Sequence, residues 1–199
     1  MKRIGLFGGS FDPVHSAHVA LARLALQHLA LDEVRWLPAG RPWQKADREL
    51  APDAHRVAML ELAIGHEPRF VLDERELHRA GTSYTIDSVL ELQAEEPGTE
   101  WFLIIGQDQY ARLHTWHRWQ ELLSRVTLAV APRAGESAEA APQVAALPHT
   151  KVALPAFAVS ATDIRERLAR GGGIDGLVPP AVARYIEQHH LYQRGTPGN

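Results

Sequence analysis

The sequence predicts an α/β fold built on a doubly wound parallel sheet with helices on both faces. Three observations predict it. Short, nearly continuous apolar runs recur along the 199 residues, as strands covered on both faces require. Between them lie segments whose apolar residues repeat at helical spacing. The first run feeds the first such segment through a glycine turn, which is the βα unit of parallel sheets.

The elements follow in order. Ile4 to Phe7 is a strand ending at Gly8-Gly9, and Ala17 to Leu31 is a helix. Glu33 to Ala39, alternating Val34 and Trp36, is a second strand, and Gly40 to Pro52, polar and punctuated by prolines, is an exposed loop. Asp53 can cap a helix carrying Val57, Leu60 and Ile64, after which Phe70 to Leu77 reads as a strand with charges at alternate positions. Thr85 to Leu92 is helical, Trp101 to Ile105 is a buried strand, Trp119 to Leu123 is a short helix, and Val126 to Ala131 is another apolar strand. Gly135 to Pro148 is a surface helix or insertion, Val152 to Val159 is the last strand, and Ile164 to Leu168 is a helix. Leu177 to Tyr192, opening with Pro179-Pro180, is a terminal helix. The expectation is one Rossmann-like domain over residues 1–194, with 195–199 frayed. In such sheets ligands sit beyond the carboxyl ends of the strands.

Composition narrows the function. A chain of this length can bury roughly 70% of its unfolded surface in one core. Lys and Arg total 21 against 24 Asp and Glu, a net charge of −3, so no basic excess exists to neutralise a run of nucleic-acid phosphates. Cysteine is absent, which excludes disulfides and cysteine-zinc sites. The apolar run after Met1-Lys2-Arg3 breaks at Gly8, too short for a signal core or a membrane span. A cytoplasmic protein without membrane or nucleic-acid partners is expected; the oligomeric state is not legible.

The densest chemical signal is Gly8-Gly9-Ser10-Phe11-Asp12-Pro13-Val14-His15-Ser16-Ala17-His18. Glycines permit close backbone approach, a helix start offers unpaired N–H groups, and His15 and His18, three residues apart, would lie on one helix face. The spacing matches neither the dinucleotide fingerprint nor the P-loop. Taken alone, the histidines could merely end a turn, and more readily that than ligate a metal, because no third ligand is evident nearby. A second stretch, Ser160-Ala161-Thr162-Asp163-Ile164-Arg165, fits a capping box, and in isolation it is as readily an ordinary helix start as an anion site.

The first stretch resembles the opening of the nucleotidyltransferase superfamily marked by His-x-Gly-His, with Ala17 where that family usually has glycine. The second resembles the superfamily's Ser-x-Thr-x-x-Arg, which implies that Ser160, Thr162 and Arg165 grip the triphosphate of ATP. Class I aminoacyl-tRNA synthetases share a related signature but need a tRNA-binding body this chain has no room for. Three further stretches resemble the bacterial nicotinate-nucleotide adenylyltransferase family. Gly81-Thr82-Ser83-Tyr84-Thr85 stands where that family reads Ser-Tyr-Thr, implying that Thr82, Tyr84 and Thr85 meet the pyridine carboxylate. Ile104-Ile105-Gly106-Gln107-Asp108 resembles its Gly-x-Asp, implying a ribose against Gly106 and Asp108. Leu113 to Trp119 resembles its Trp loop, implying that Trp116 stacks on the pyridine ring beside His117; core packing is the competing reading for Trp116 and Trp119.

The resemblance implies adenylyl transfer from ATP to nicotinate mononucleotide, giving deamido-NAD and pyrophosphate in NAD biosynthesis. It implies an ATP site of Gly8, Gly9, Ser10, Phe11, His15 and His18 with Gly106, Asp108, Ser160, Thr162 and Arg165, and Mg²⁺ arriving with ATP. His15, His18, Lys45 and Arg165 would carry catalysis. Lys45 stands where relatives read Pro-Pro-His-Lys, of which only the lysine and one proline remain, and Arg133 resembles an arginine that binds the mononucleotide phosphate. Arg56 reads as no more than a surface charge. Two alternatives remain: a relative with another acceptor, such as phosphopantetheine adenylyltransferase, and a nucleotide-binding regulator without catalysis.

Overall fold

In the computed structural model, which describes residues 1–40, 49–132, 135, 139–153 and 160–193, six parallel strands form one sheet. They are β1 (Arg3–Gly9), β2 (Glu33–Pro38), β3 (Phe70–Leu72), β4 (Glu100–Gly106), β5 (Thr127–Ala131) and β6 (Lys151–Ala153). Their order is β3-β2-β1-β4-β5-β6, the doubly wound arrangement whose direction reverses between β1 and β4.

Alternating side chains send the sheet into two cores. One face gathers Phe7, Val34, Trp36, Phe102, Ile104 and Ala129 against α1 (Ser16–His28), α2 (Asp53–Ile64), α8 (Ala161–Ala169) and α9 (Pro180–Gln188). The other gathers Ile4, Leu6, Leu103, Ile105, Leu128 and Val130 against α4 (Thr85–Glu95), α6 (Trp119–Arg125) and the short α5 (Gln107–Ala111) and α7 (Pro142–Ala145). Both faces are covered, which is why the strands read as apolar runs rather than alternating ones. The first face packs closely over Gly5: a Cβ there would meet Leu31 Cδ1 at 2.9 Å.

Four boundaries depart from the sequence expectation for local reasons. The strand expected to reach Leu77 stops at Leu72, because Asp73 Oδ1 accepts the Arg75 N–H (3.1 Å) and turns the chain into α3 (Arg75–His78). Charged residues at alternate positions mimicked a half-buried strand there. Helix α1 ends at His28, where Leu29 and then Ala30, in the left-handed region at φ 48°, close it. Asp53 is not the cap of α2; Pro52 precedes it and Asp53 pairs instead with Arg56. Helix α9 stops at Gln188, and the chain turns back through His190 and Tyr192. The expected strand beyond Ala153 lies largely outside the described residues, as do Lys45, Arg133 and the terminal 194–199.

Candidate active site

The sheet itself opens the site. β1 and β4 are paired from Arg3↔Glu100 to Leu6↔Leu103 and no further. Beyond that point β1 stays with β2 as far as Gly9↔Pro38, and β4 stays with β5 as far as Gly106↔Ala131. The carboxyl ends of the two central strands therefore part at the switch point, the position at which open α/β sheets bind ligands. At the end of β4, a Cβ on Gly106 would meet nothing within 4 Å, and its backbone is extended (φ −89°, ψ 172°). Conformation does not demand glycine there, and the space in front of it is open.

From the end of β1 the chain enters the glycine loop. Phe11 adopts φ 46°, a left-handed conformation that non-glycine residues hold only when the surroundings enforce it. The enforcement is visible: its ring is buried against Phe7 (5.6 Å between centroids), Trp36 (5.4 Å) and His18 (5.0 Å). The side chain of Phe11 thus belongs to the core, and what it can offer a ligand is its backbone.

His15 is the N-cap of α1 rather than a member of its face, with extended backbone (φ −138°, ψ 174°). Its Nδ1 accepts the His18 N–H (3.4 Å), while the His15 N–H donates to His18 Nδ1 (3.1 Å). This is a capping box made of two imidazoles, and it stacks the rings at 3.6 Å between centroids and 19° between planes. The chemical consequence is tautomeric. Because each Nδ1 faces a backbone N–H and must accept, the proton of each neutral ring resides on Nε2. Burial holds His15 neutral, lowering its pKa to about 4. The first turn of α1 contains no acidic residue, so its positive end is not offset by a carboxylate of its own.

Distant segments converge on this loop. At the start of α8, Ser160 Oγ accepts the Asp163 N–H (3.2 Å), and Arg165 Nη2 donates to Thr162 Oγ1 (3.1 Å). Arg165 Nη1 then reaches across to the Asp12 carbonyl at 2.8 Å. This contact joins the two anion-site candidates read from sequence, which lie 153 residues apart. Asp108, exposed on α5, stands just beyond Gly106, and Gln109 Oε1 accepts the Gly106 N–H at 3.0 Å.

The residues proposed for the pyridine end also come together. The Tyr84 and His117 rings lie 4.4 Å apart at 31°, and Trp116 packs with Tyr84 on the second core. The Trp116 ring is half-buried, with Nε1 turned inward and lacking a partner. Helix α4 begins after Tyr84 with no side-chain cap, so its first amides are left to other acceptors. A cavity of about 500 Å³ lined by Gly40, Asp53, Arg79 and Gly81 lies beside this segment. Another, of about 660 Å³, lies by Glu100, Trp101, Thr127 and His149 at the amino ends of the strands, the end that sheets of this kind do not use.

Two supports were not legible in the sequence. Arg56 is fully buried, not a surface charge: it donates to the carbonyls of Ser10 (2.9 Å), Ala39 (2.8 Å) and Ala51 (3.0 Å) and pairs with Asp53 (2.5 Å). It thereby ties the glycine loop to the end of β2. Behind Tyr84, Arg79 donates to Ser83 Oγ (2.6 Å) and Ser88 Oγ (3.1 Å), and Ser88 donates to buried Glu76 (2.9 Å). Burial raises the Glu76 pKa.

Fold and site define a class: a doubly wound α/β protein in which an arginine-tipped turn contacts the loop leading into a histidine-capped helix. The chain belongs to the cytidylyltransferase-like family, whose model matches residues 6–167. Curated relatives narrow this to the nicotinate-nucleotide adenylyltransferase group. A protein of Methylibium petroleiphilum named "Probable nicotinate-nucleotide adenylyltransferase" is 53% identical, covering 96% of this chain and 92% of that protein. One of Bordetella petrii with the same name is 48% identical, covering 97% and 100%. Among solved structures, Plasmodium falciparum nicotinic acid mononucleotide adenylyltransferase complexed with NaAD superposes with a TM-score of 0.79 at 19% identity, covering 96% of this chain and 98% of that one. That likeness speaks for the fold alone. No helix among the described residues is long and apolar enough to cross a membrane.

Proposed function

We propose that the protein is a nicotinate-nucleotide adenylyltransferase of NAD biosynthesis: a phosphate oxygen of nicotinate mononucleotide attacks the α-phosphorus of ATP in line, deamido-NAD forms, and pyrophosphate leaves. The bond made is from that oxygen to the α-phosphorus; the bond broken joins the α-phosphorus to the oxygen bridging it to the β-phosphate. The observation that carries this reading is the Arg165 contact with Asp12, which brings the start of α8 to the loop ahead of α1. Relatives at 53% and 48% identity bearing the adenylyltransferase name supply the acceptor.

The attacking phosphate is already nucleophilic, so the protein's task is orientation and charge stabilisation. Nε2–H of His18, with His15 behind it, donates to the α-phosphate as negative charge builds in the transition state. The amides of Gly8, Gly9, Ser10 and Phe11 and the start of α1 line the phosphate path. Arg165, with the hydroxyls of Ser160 and Thr162, supports the β- and γ-phosphates that depart as pyrophosphate. Gly106 leaves room for the ribose, and Asp108 accepts its hydroxyls. Thr82, Tyr84 and Thr85 offer the uncapped start of α4 to the pyridine carboxylate, and Trp116 and His117 cover the ring. Lys45 and Arg133 are assigned to the reactant phosphates on resemblance alone. Mg²⁺ enters as part of the nucleotide substrate. Such an ion would be carried mainly by phosphate oxygens and water. The cytoplasm is the compartment proposed, and a cysteine-free chain suits its reducing conditions.

The test is an acceptor panel. ATP and Mg²⁺ are supplied with nicotinate mononucleotide, its amide counterpart or phosphopantetheine, and pyrophosphate is followed. Nicotinate mononucleotide should react fastest. Faster reaction with phosphopantetheine would reassign the acceptor, and no release from any of them by folded protein would point to a regulator.

A further inference from the structure

The carboxyl end of the chain is built into the loop that precedes α1. Past α9, the Leu191 N–H donates to the Ile186 carbonyl (3.1 Å), so the helix end is already closed. His190, in the left-handed region (φ 50°), is part of that closure, its N–H donating to the Glu187 carbonyl (3.2 Å). Beyond it a second non-glycine residue, Tyr192, is left-handed as well (φ 62°), a conformation that persists where the surroundings over-determine it. Its side chain makes a hydrogen bond across 180 residues: the Tyr192 hydroxyl donates to Asp12 Oδ1 at 2.5 Å.

Asp12 is held on every side. It is 1% exposed; the same Oδ1 accepts the Ala51 N–H (3.3 Å), and its main-chain carbonyl accepts Arg165 Nη1 (2.8 Å). Burial, then the Asp12 charge, raises the Tyr192 pKa far above the ordinary phenol value, so the hydroxyl is a donor at any working pH. Three residues after Asp12 comes His15, the cap of α1. A small rotation at Asp12 would move the Arg165 anchor and the imidazole pair relative to each other. Catalysis by orientation is sensitive to this, a displacement of about 1 Å costing on the order of 100-fold.

We propose that Tyr192 is a positioning residue: by donating to Asp12 it fixes the loop that carries the Arg165 anchor on one side and the His15–His18 pair on the other, so that both face the triphosphate together. This rests on the adenylyl-transfer reading, and the two fail separately. Turnover of ATP and nicotinate mononucleotide by the unaltered protein tests that reading, whereas the ratio of Tyr192→Phe to it tests the inference.

In Tyr192→Phe, which removes one oxygen and keeps the ring, kcat should fall about 10-fold while KM for both substrates stays within about twofold, the signature of lost orientation rather than lost binding. In an Asp12→Asn background the same tyrosine change should cost much less, because the two groups act as one unit. Without any substrate, the ¹⁵N resonances of the His15 and His18 rings should shift in Tyr192→Phe. The inference is overturned if kcat stays within about twofold, if the loss is undiminished in the Asp12→Asn background, or if the imidazole resonances do not move.

Discussion

The His15 ring makes a measurable claim on stability. Its side chain is 4% exposed, and burial lowers its pKa from 6.5 to about 4. The unfolded chain binds a proton on this ring below pH 6.5 while the folded protein does not until about pH 4. The sign follows: the stability it contributes is complete above pH 6.5 and is lost as pH falls toward 4. At 1.36 kcal/mol per pKa unit the whole loss is about 3 kcal/mol, and about 2.5 kcal/mol of it has occurred by pH 4.5. The control is His15→Asn, which keeps an N-cap acceptor for the His18 N–H and does not titrate. Urea unfolding of both proteins at several pH values between 7.5 and 4.5 gives the difference between them, in which other groups cancel. The advantage of the natural protein over His15→Asn should shrink by about 2.5 kcal/mol across that range, with equal m-values. A difference constant to within about 0.5 kcal/mol would refute the buried neutral cap, and with it the assignment of the Nε2–H tautomer.

Three further outcomes follow from the geometry. Arg56→Met strands the carbonyls of Ser10, Ala39 and Ala51 and should lower unfolding free energy in urea by about 3 kcal/mol, an unsatisfied buried acceptor costing about 1–3 kcal/mol; a change under 1 kcal/mol would return it to the surface. Gly106→Ala places its methyl in open space, so the thermal midpoint should hold while KM for ATP rises several-fold, and an unchanged KM would remove the ribose from that strand end. Trp116→Ala should raise KM for nicotinate mononucleotide by about 3- to 10-fold, the worth of an aromatic contact of about 0.5–1.5 kcal/mol. Little change is expected for ATP, and equal rises for both substrates would favour core packing.

The parts of this architecture that lie close together in sequence were legible there. Apolar runs marked β1, β4 and β5 because their residues are buried on both faces, and Gly8 to His18 announced its chemistry through residue types that a turn alone does not need. Convergence was legible only through resemblance: nothing local in Ser160 to Arg165 says that the guanidinium ends on the Asp12 carbonyl. Arg56 escaped because, apart from Asp53, its partners are the backbone carbonyls of Ser10, Ala39 and Ala51, which leave no trace in residue identity. Spacing of three predicts His15 on a helix face, whereas its extended backbone makes it the cap. In sequence Tyr192 is indistinguishable from one more helical residue, since a left-handed turn without glycine has no sequence signature. The expectations for Lys45 and Arg133 concern residues outside those described.

A crystal of the protein grown with a non-hydrolysable ATP analogue would settle whether the histidine-capped helix and the arginine-tipped turn serve one nucleotide. The triphosphate should lie in the crevice where β1 and β4 part, within hydrogen-bonding distance of both His18 Nε2 and the Arg165 guanidinium. A triphosphate touching only one of these groups, or seated at the amino ends of the strands, would contradict it.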